Sequence, residues 1–111
     1  MARISYVELP VGKMGPAKGF YEAVFGWSLT DFGSTYASTM TGNVDLGLQA
    51  DASEATAAPL VVIGVDDLEA GLAAVERAGG TVTRPIFAFP GGRRFHFRDP
   101  AGNELAVLKT D

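Results

Sequence analysis

The chain has one histidine, His96, and it is the natural centre of any chemistry. It is the only side chain whose unperturbed charge changes near neutral pH. A carboxylate beside it, from Glu8 or Glu104, makes it a candidate general acid or base. The plainer reading is a histidine that fills a strand position and is hydrogen-bonded locally, and the sequence alone favours it. His96 stands in the run Arg93-Arg94-Phe95-His96-Phe97-Arg98-Asp99-Pro100-Ala101-Gly102-Asn103-Glu104-Leu105-Ala106-Val107-Leu108-Lys109. Asp-Pro-x-Gly-Asn is dense in turn chemistry, because Pro presets φ, Gly accepts positive φ, and Asp and Asn bond their own backbone. Alternating runs flank it, so the segment reads as strand, turn, strand. Setting Arg98 opposite Glu104 sets Phe97 opposite Leu105, His96 opposite Ala106 and Phe95 opposite Val107. One face is then apolar, and His96, Arg98, Glu104 and Ala106 share the other. A one-residue slip mixes apolar and polar groups on both faces, which a half-buried sheet resists.

Other groups carry weaker signals. Tyr6 can donate a hydrogen bond to a ligand oxygen, or be a buried tyrosine with a satisfied hydroxyl. Glu8 and Glu104 can face a cationic ligand, or be a solvated strand face. Arg93, Arg94 and Arg98 can hold an anion, but an Arg98–Glu104 pair and a solvent-facing Arg93-Arg94 pair are the expected arrangement. Trp27, Phe32, Tyr36, Phe87 and Phe89 can wall an apolar pocket, with about half assigned to core by strand alternation. Gly91-Gly92 is a turn and not a phosphate loop, since no strand-to-helix context or lysine follows. No Ser-His-Asp arrangement and no dinucleotide fingerprint is present.

The elements that must position these groups follow from periodicity. Residues 3–11 alternate, with Ser5, Val7, Leu9 and Val11 on the helix side and Ile4, Tyr6 and Glu8 on the other. Residues 15–25 carry a helical stripe of Ala17, Phe20, Tyr21, Val24 and Phe25, with Pro16 in the first turn and Gly26 as the stop. Trp27–Phe32, Thr35–Met40 and Val44–Gln49 read as strands, and 51–59 as a linker. Leu60–Val65 is a buried strand. Asp66 and Glu69 give a capping box for a helix lined by Leu68, Leu72 and Val75, ended by Gly79-Gly80. Thr81–Phe89 is a strand that Pro85 makes an edge or bulged strand. The order strand, helix, three strands therefore occurs twice, over about 3–50 and 60–109. The fold class is α+β, with two βαβββ units forming a concave mixed sheet and helices outside.

Composition bounds the function classes. The 111 residues are 47% hydrophobic and suffice for a single domain with one core. No run is long and apolar enough for a membrane helix. The N-terminus starts as a strand without a signal-peptide core, so a cytoplasmic protein is expected. The absence of cysteine removes thiolate nucleophiles and thiolate metal sites. A formal charge of −4 argues against non-specific nucleic-acid binding, which needs a basic footprint.

The doubled βαβββ order, with Phe20-Tyr21-x-x-Val24-Phe25-Gly26-Trp27 after the first strand and Phe97-Arg98-Asp99-Pro100-Ala101-Gly102-Asn103-Glu104-Leu105 near the end, resembles the vicinal-oxygen-chelate superfamily. That superfamily holds glyoxalases, bleomycin-resistance proteins, fosfomycin-resistance enzymes and extradiol dioxygenases. The resemblance covers nearly the whole chain, and a one-module chain of this length resembles the bleomycin-resistance branch. It implies a homodimer that binds a small molecule. It also implies, for metal-dependent members, four inward ligands. Carried over, these fall on Tyr6, near Leu48 or Gln49, near Leu60, and on Ala106. Leucine and alanine cannot ligate an ion, and one histidine cannot supply a two-histidine triad.

The expectation is therefore a glyoxalase-like domain without the family's metal site and with no cofactor. It binds a small organic molecule in an aromatic-lined pocket that includes Tyr6, Glu8, Gln49, Leu60, His96, Arg98, Glu104 and Ala106. The alternatives are a metal-independent lyase or isomerase with His96 as acid/base, and a metalloenzyme with unorthodox ligands such as Glu8, His96 and Glu104.

Overall fold

The computed structural model describes residues 2–111. Along the chain run β1 (Arg3–Pro10), α1 (Met14–Phe25), β2 (Thr30–Asp31), β3 (Tyr36–Ser38) and β4 (Asp45–Gln49). They are followed by β5 (Leu60–Gly64), α2 (Leu68–Arg77), β6 (Thr81–Phe89), β7 (Gly92–Arg98) and β8 (Glu104–Thr110). The α+β class is as expected. Two compact bodies are formed, one from Tyr6–Leu60 and one from Val61–Asp111 with the residues up to Ser5.

In the first body the strand order is β2-β3-β4-β1. β1 runs parallel to β4, with Glu8 opposite Gly47 and Leu9 opposite Leu48. β3 is antiparallel to β4. The core on the helix side is Leu29, Ala37 and Leu48, packed against Leu9, Val11, Met14, Ala17, Tyr21 and Leu46. Only part of the expected helical stripe is even half-buried here. Ala17 and Tyr21 pack, while Phe20, Val24 and Phe25 are more than half exposed. Periodicity tells which residues share a side of a helix, not how far along it the sheet reaches. Gly26 ends α1 in the left-handed region at φ 67°, its N–H donating to the Glu22 carbonyl.

The strand expected over Trp27–Phe32 shrinks to Thr30–Asp31. Its first residues belong to the helix end. Trp27 stacks on Phe25 at 4.8 Å. The Leu29 N–H donates to Glu22 Oε2 at 3.1 Å, which takes that donor out of any ladder.

The second body has the order β5-β8-β7-β6. β5 is parallel to β8 and the other pairs are antiparallel. Its helix side packs Leu68, Phe95 and Val107 against Val65, Leu72, Val75, Ile86 and Phe97. The β7–β8 register is the one argued from the sequence: Phe95↔Val107, His96↔Ala106, Phe97↔Leu105, Arg98↔Glu104. The turn behind it is tied several times. Asp99 Oδ1 accepts from the Asn103 N–H at 2.9 Å, and Asn103 Nδ2 donates to Asp99 Oδ2 at 3.0 Å. Gly102 supplies φ 90°. β6 lies at the sheet edge, and its register shifts on both sides of Arg84, next to Pro85.

The cap of α2 is Asp67, not Asp66. Asp67 Oδ1 accepts from the Ala70 N–H at 3.0 Å. Two consecutive aspartates make the pattern ambiguous by one residue, and the one whose oxygen reaches the N3 amide wins. Asp67→Ala should cost about 1 kcal/mol in urea denaturation, and Asp67→Asn should keep most of that stability. An alanine variant as stable as the parent would show that this cap holds nothing.

Candidate functional site

Cross-strand register assembles the site in the second body. Val62 stands opposite Ala106, Ala106 opposite His96, and His96 opposite Arg84. These four form one row across β5, β8, β7 and β6. The neighbouring row is Gly64, Leu108, Arg94 and Phe87. Opposed residues point to the same face. Phe95 and Val107 lie in the α2 core, so the two rows occupy the helix-free face. His96 is held by its neighbours on both sides within the ladder.

His96 is 2% exposed. Its Nδ1 lies 2.9 Å from Glu104 Oε2. A carboxylate only accepts hydrogen bonds, so this contact assigns the proton to Nδ1 and the lone pair to Nε2. Among the described residues, Nε2 has no hydrogen-bond partner, and it is buried. Burial, above all, pushes the imidazole below its ordinary value. The hydrogen bond that Nδ1–H donates to Glu104 works the other way, and the nearby charges of Arg94 and Arg84 add to the lowering. The resting group is thus a neutral imidazole, oriented by a carboxylate, whose Nε2 lone pair no described side chain or backbone group engages.

Arginine and aromatic side chains surround it. The Arg84 guanidinium carbon lies 3.6 Å from the centre of the Phe87 ring. That of Arg94 is 5.4 Å from Phe87 and 5.6 Å from Phe89. The Phe87 and His96 rings are tilted, with centres 5.8 Å apart. The sequence placed the Arg93-Arg94 pair in solvent, and here the structure differs. Arg94 is 6% exposed, because alternation along β7 puts it on the helix-free face with His96. Arg93, on the opposite side, pairs with Glu69 at 2.6 Å. Arg98 sits at the exposed end of β7 and donates to the Gly102 carbonyl at 2.9 Å.

Arg84 was not singled out from the sequence. The signal was there: Thr83-Arg84-Pro85 lies one hairpin away from His96. The β6 bulges, however, defeat residue counting across that hairpin.

The remaining expected residues lie in the first body, except Ala106, which is fully buried beside His96. Glu8 is 2% exposed and Gln49 8%; Gln49 Oε1 accepts from the Asp51 N–H at 2.9 Å. Tyr6 is half-buried, and Leu60 is fully buried at the start of β5. Of the expected aromatic wall, Trp27 and Phe32 are exposed. The Tyr36 hydroxyl lies against Gly47, whose missing side chain leaves it room. A separate cleft of about 240 Å³ is lined by Arg3, Ser5, Gly64, Val65, Asp66, Leu108 and Thr110, and contains none of the expected site residues.

These residues do not fit a divalent ion. Two of the four carried-over ligand positions, Leu60 and Ala106, hold only carbon side chains. Among the described residues, no three His, Cys, Asp or Glu side chains group together as a metal-binding set.

The comparisons agree with the fold. The family described as the Glyoxalase/Bleomycin resistance protein/Dioxygenase superfamily matches residues 3–107. No curated protein matches the chain. Among solved structures, a protein described as an NAD-dependent benzaldehyde dehydrogenase from Legionella pneumophila superposes with a TM-score of 0.78 at 16% identity, over 96% of this chain and 98% of that one. Methylmalonyl-CoA epimerase from Streptomyces coelicolor gives 0.72 at 15% identity, over 97% and 96%. The Mn(II)-bound glyoxalase from Novosphingobium aromaticivorans gives 0.69 at 23% identity, over 98% of this chain and 40% of that one. At these identities the likeness is one of fold.

The proton assignment is testable by NMR, since the chain has one imidazole. His96 should titrate below 6.5, and Glu104→Gln should lower its midpoint further by removing the contribution that raises it. A midpoint that rises in the variant would contradict the contact. A lowered folded pKa means that the unfolded chain binds the proton first. The stability that neutral His96 contributes is therefore whole above about 6.5 and is lost as the pH falls toward the folded value. His96→Gln should flatten that part of the stability profile. With its doubled βαβββ order, its Asp99–Asn103 turn and the match over 3–107, the chain belongs to the glyoxalase/bleomycin resistance protein/dioxygenase superfamily.

Proposed function

We propose that the protein binds a small organic molecule on the helix-free face of its second body, and that His96, oriented by Glu104, exchanges a proton with it without a metal ion. The observation that carries this reading is the pair of roles on one ring. Nδ1 is fixed by a carboxylate, while Nε2 is buried with no partner among the described residues. A buried acceptor left unmatched costs stability, and a catalytic role is one of the reasons that such a group is kept. β6 offers the approach. It is the edge strand, bulged beside Pro85, and its Arg84 and Phe87 are the half-buried neighbours of His96.

The reaction class is proton removal from one atom of the ligand and return to another, as a lyase or isomerase requires. In the first step Nε2 takes the proton, and the imidazolium formed is stabilised by the Glu104 carboxylate on Nδ1. In the second step Nε2 gives the proton back, and the ring returns to its resting tautomer. A positioned base of this kind contributes roughly 10²–10⁴ in rate. The metal-free part of the proposal rests on Leu60 and Ala106 at the family's ligand positions. Its check is a divalent-metal titration with thermal-shift readout, in which no ion should stabilise the purified protein.

The central test starts from the ligand that co-purifies, identified by mass spectrometry. Incubated in deuterium oxide with the protein, it should acquire deuterium at one position. His96→Gln should slow that exchange by roughly 10²–10⁴ while keeping most of the affinity. Exchange that is absent, or unchanged in the variant, would leave a protein that sequesters its ligand and does no chemistry on it. The expected homodimer belongs to the same proposal. Sedimentation equilibrium at micromolar concentration tests it, and a monomer there removes it.

A further inference from the structure

We infer that the stacked pair Arg84–Phe87 on β6 is a gate over His96 Nε2, shut in the resting chain and opened by local yielding of the bulged edge strand. This rests on the reading that His96 serves a ligand. Nε2 is buried, so a ligand reaches it only after something moves. In the His96 row, Val62 and Ala106 are fully buried and His96 nearly so, while Arg84 is half-buried. In the next row Leu108 and Arg94 are buried, and Phe87 is half-buried. The side chains in these two rows that are not buried are therefore the two carried by β6.

The orientation of the imidazole turns Nε2 toward that pair. Nδ1 and Nε2 lie on opposite sides of the Cβ–Cγ axis of a histidine. Glu104, bonded to Nδ1, is one row toward the Asp99–Asn103 turn. Phe87 is one row the other way, with its ring centre 5.8 Å from that of His96. The Arg84 guanidinium stacks on the Phe87 ring at 3.6 Å, so the pair bridges the two rows on the Nε2 side.

The strand that carries the stack is built to give. β6 has a neighbour on one side only. Five steps along β6, from Val82 to Phe87, match three along β7, from Phe97 to Arg94, so two residues of β6 are extra to the ladder. Pro85 has no N–H to donate, and Thr83 and Pro85 are exposed. Ile86 packs on the α2 core and anchors the strand while its neighbours move. A bulge breaks the ladder locally, and segments with few buried contacts open at lower cost than the strands behind them. A half-buried guanidinium–ring stack is a weak contact that such an opening can break and remake.

The test uses the full chain and its single imidazole. Diethyl pyrocarbonate acylates the lone-pair nitrogen of a neutral imidazole, and mass spectrometry of the peptide that carries His96 gives the rate. In the parent that rate should be about tenfold or more below the rate in the unfolded chain, and nearly independent of urea well below the unfolding transition. Phe87→Ala and Arg84→Lys should each label several-fold faster with unchanged circular dichroism. The lysine keeps the charge and loses the flat face, so it reports on the stack and not on the charge. Arg93→Ala removes the Glu69 pair on the other face of the hairpin and should label at the parent rate. A parent labelled as fast as the unfolded chain has no gate, and the inference fails with the ligand site intact. Labelling that climbs with urea in step with global unfolding overturns the gate without recourse to any variant. So does a rate that neither Phe87→Ala nor Arg84→Lys changes. Labelling needs no ligand: a gate that opens while the co-purifying ligand gains no deuterium sinks the proton-transfer reading and not the gate.

Discussion

The register of β7 against β8 is the constraint on which the site depends. It is set at one end by the Asp99–Asn103 turn, with its reciprocal side-chain and backbone hydrogen bonds and a positive φ at Gly102. It is set on the inner side by Phe95 and Val107, which must meet Leu68. Moving the pairing by one residue sends Phe95 to the helix-free face and His96 into the α2 core. The polar pair His96–Glu104 therefore sits where it does because two apolar residues cannot sit elsewhere. A turn of five residues thus decides which face carries chemistry.

Much of this was legible in the sequence, for reasons that are local. The hairpin register followed from matching apolar with apolar across a known turn. The edge character of β6 followed from Pro85, and the stop of α1 from Gly26. What could not be read was set by tertiary context. The exposure of Phe20, Val24 and Phe25 depends on how much of α1 the sheet covers. The loss of strand at Trp27–Leu29 depends on a contact between Leu29 and Glu22. The choice between Asp66 and Asp67 is settled by which carboxylate oxygen reaches the Ala70 N–H.

The site was legible in the same uneven way. The shared face of His96, Glu104 and Ala106 came from strand alternation and held. The partner of Glu104 did not, since formal charge pointed to Arg98 while its Oε2 bonds the imidazole. Arg94 was misplaced because two consecutive arginines at a strand start look solvated, although alternation requires one of them to point to each face. Arg84 was hidden by the bulges of β6, which change the count between hairpin partners.

The stacking of Trp27 on Phe25 has a practical consequence. This is the only tryptophan, and it lies in the first body, whereas the only histidine lies in the second. Each half therefore carries one natural spectroscopic label: indole fluorescence for residues 6–60 and an imidazole resonance for residues 61–111. Following both through a single melt tells whether the halves lose their structure as one cooperative system, because coincident curves are the signature of all-or-none unfolding.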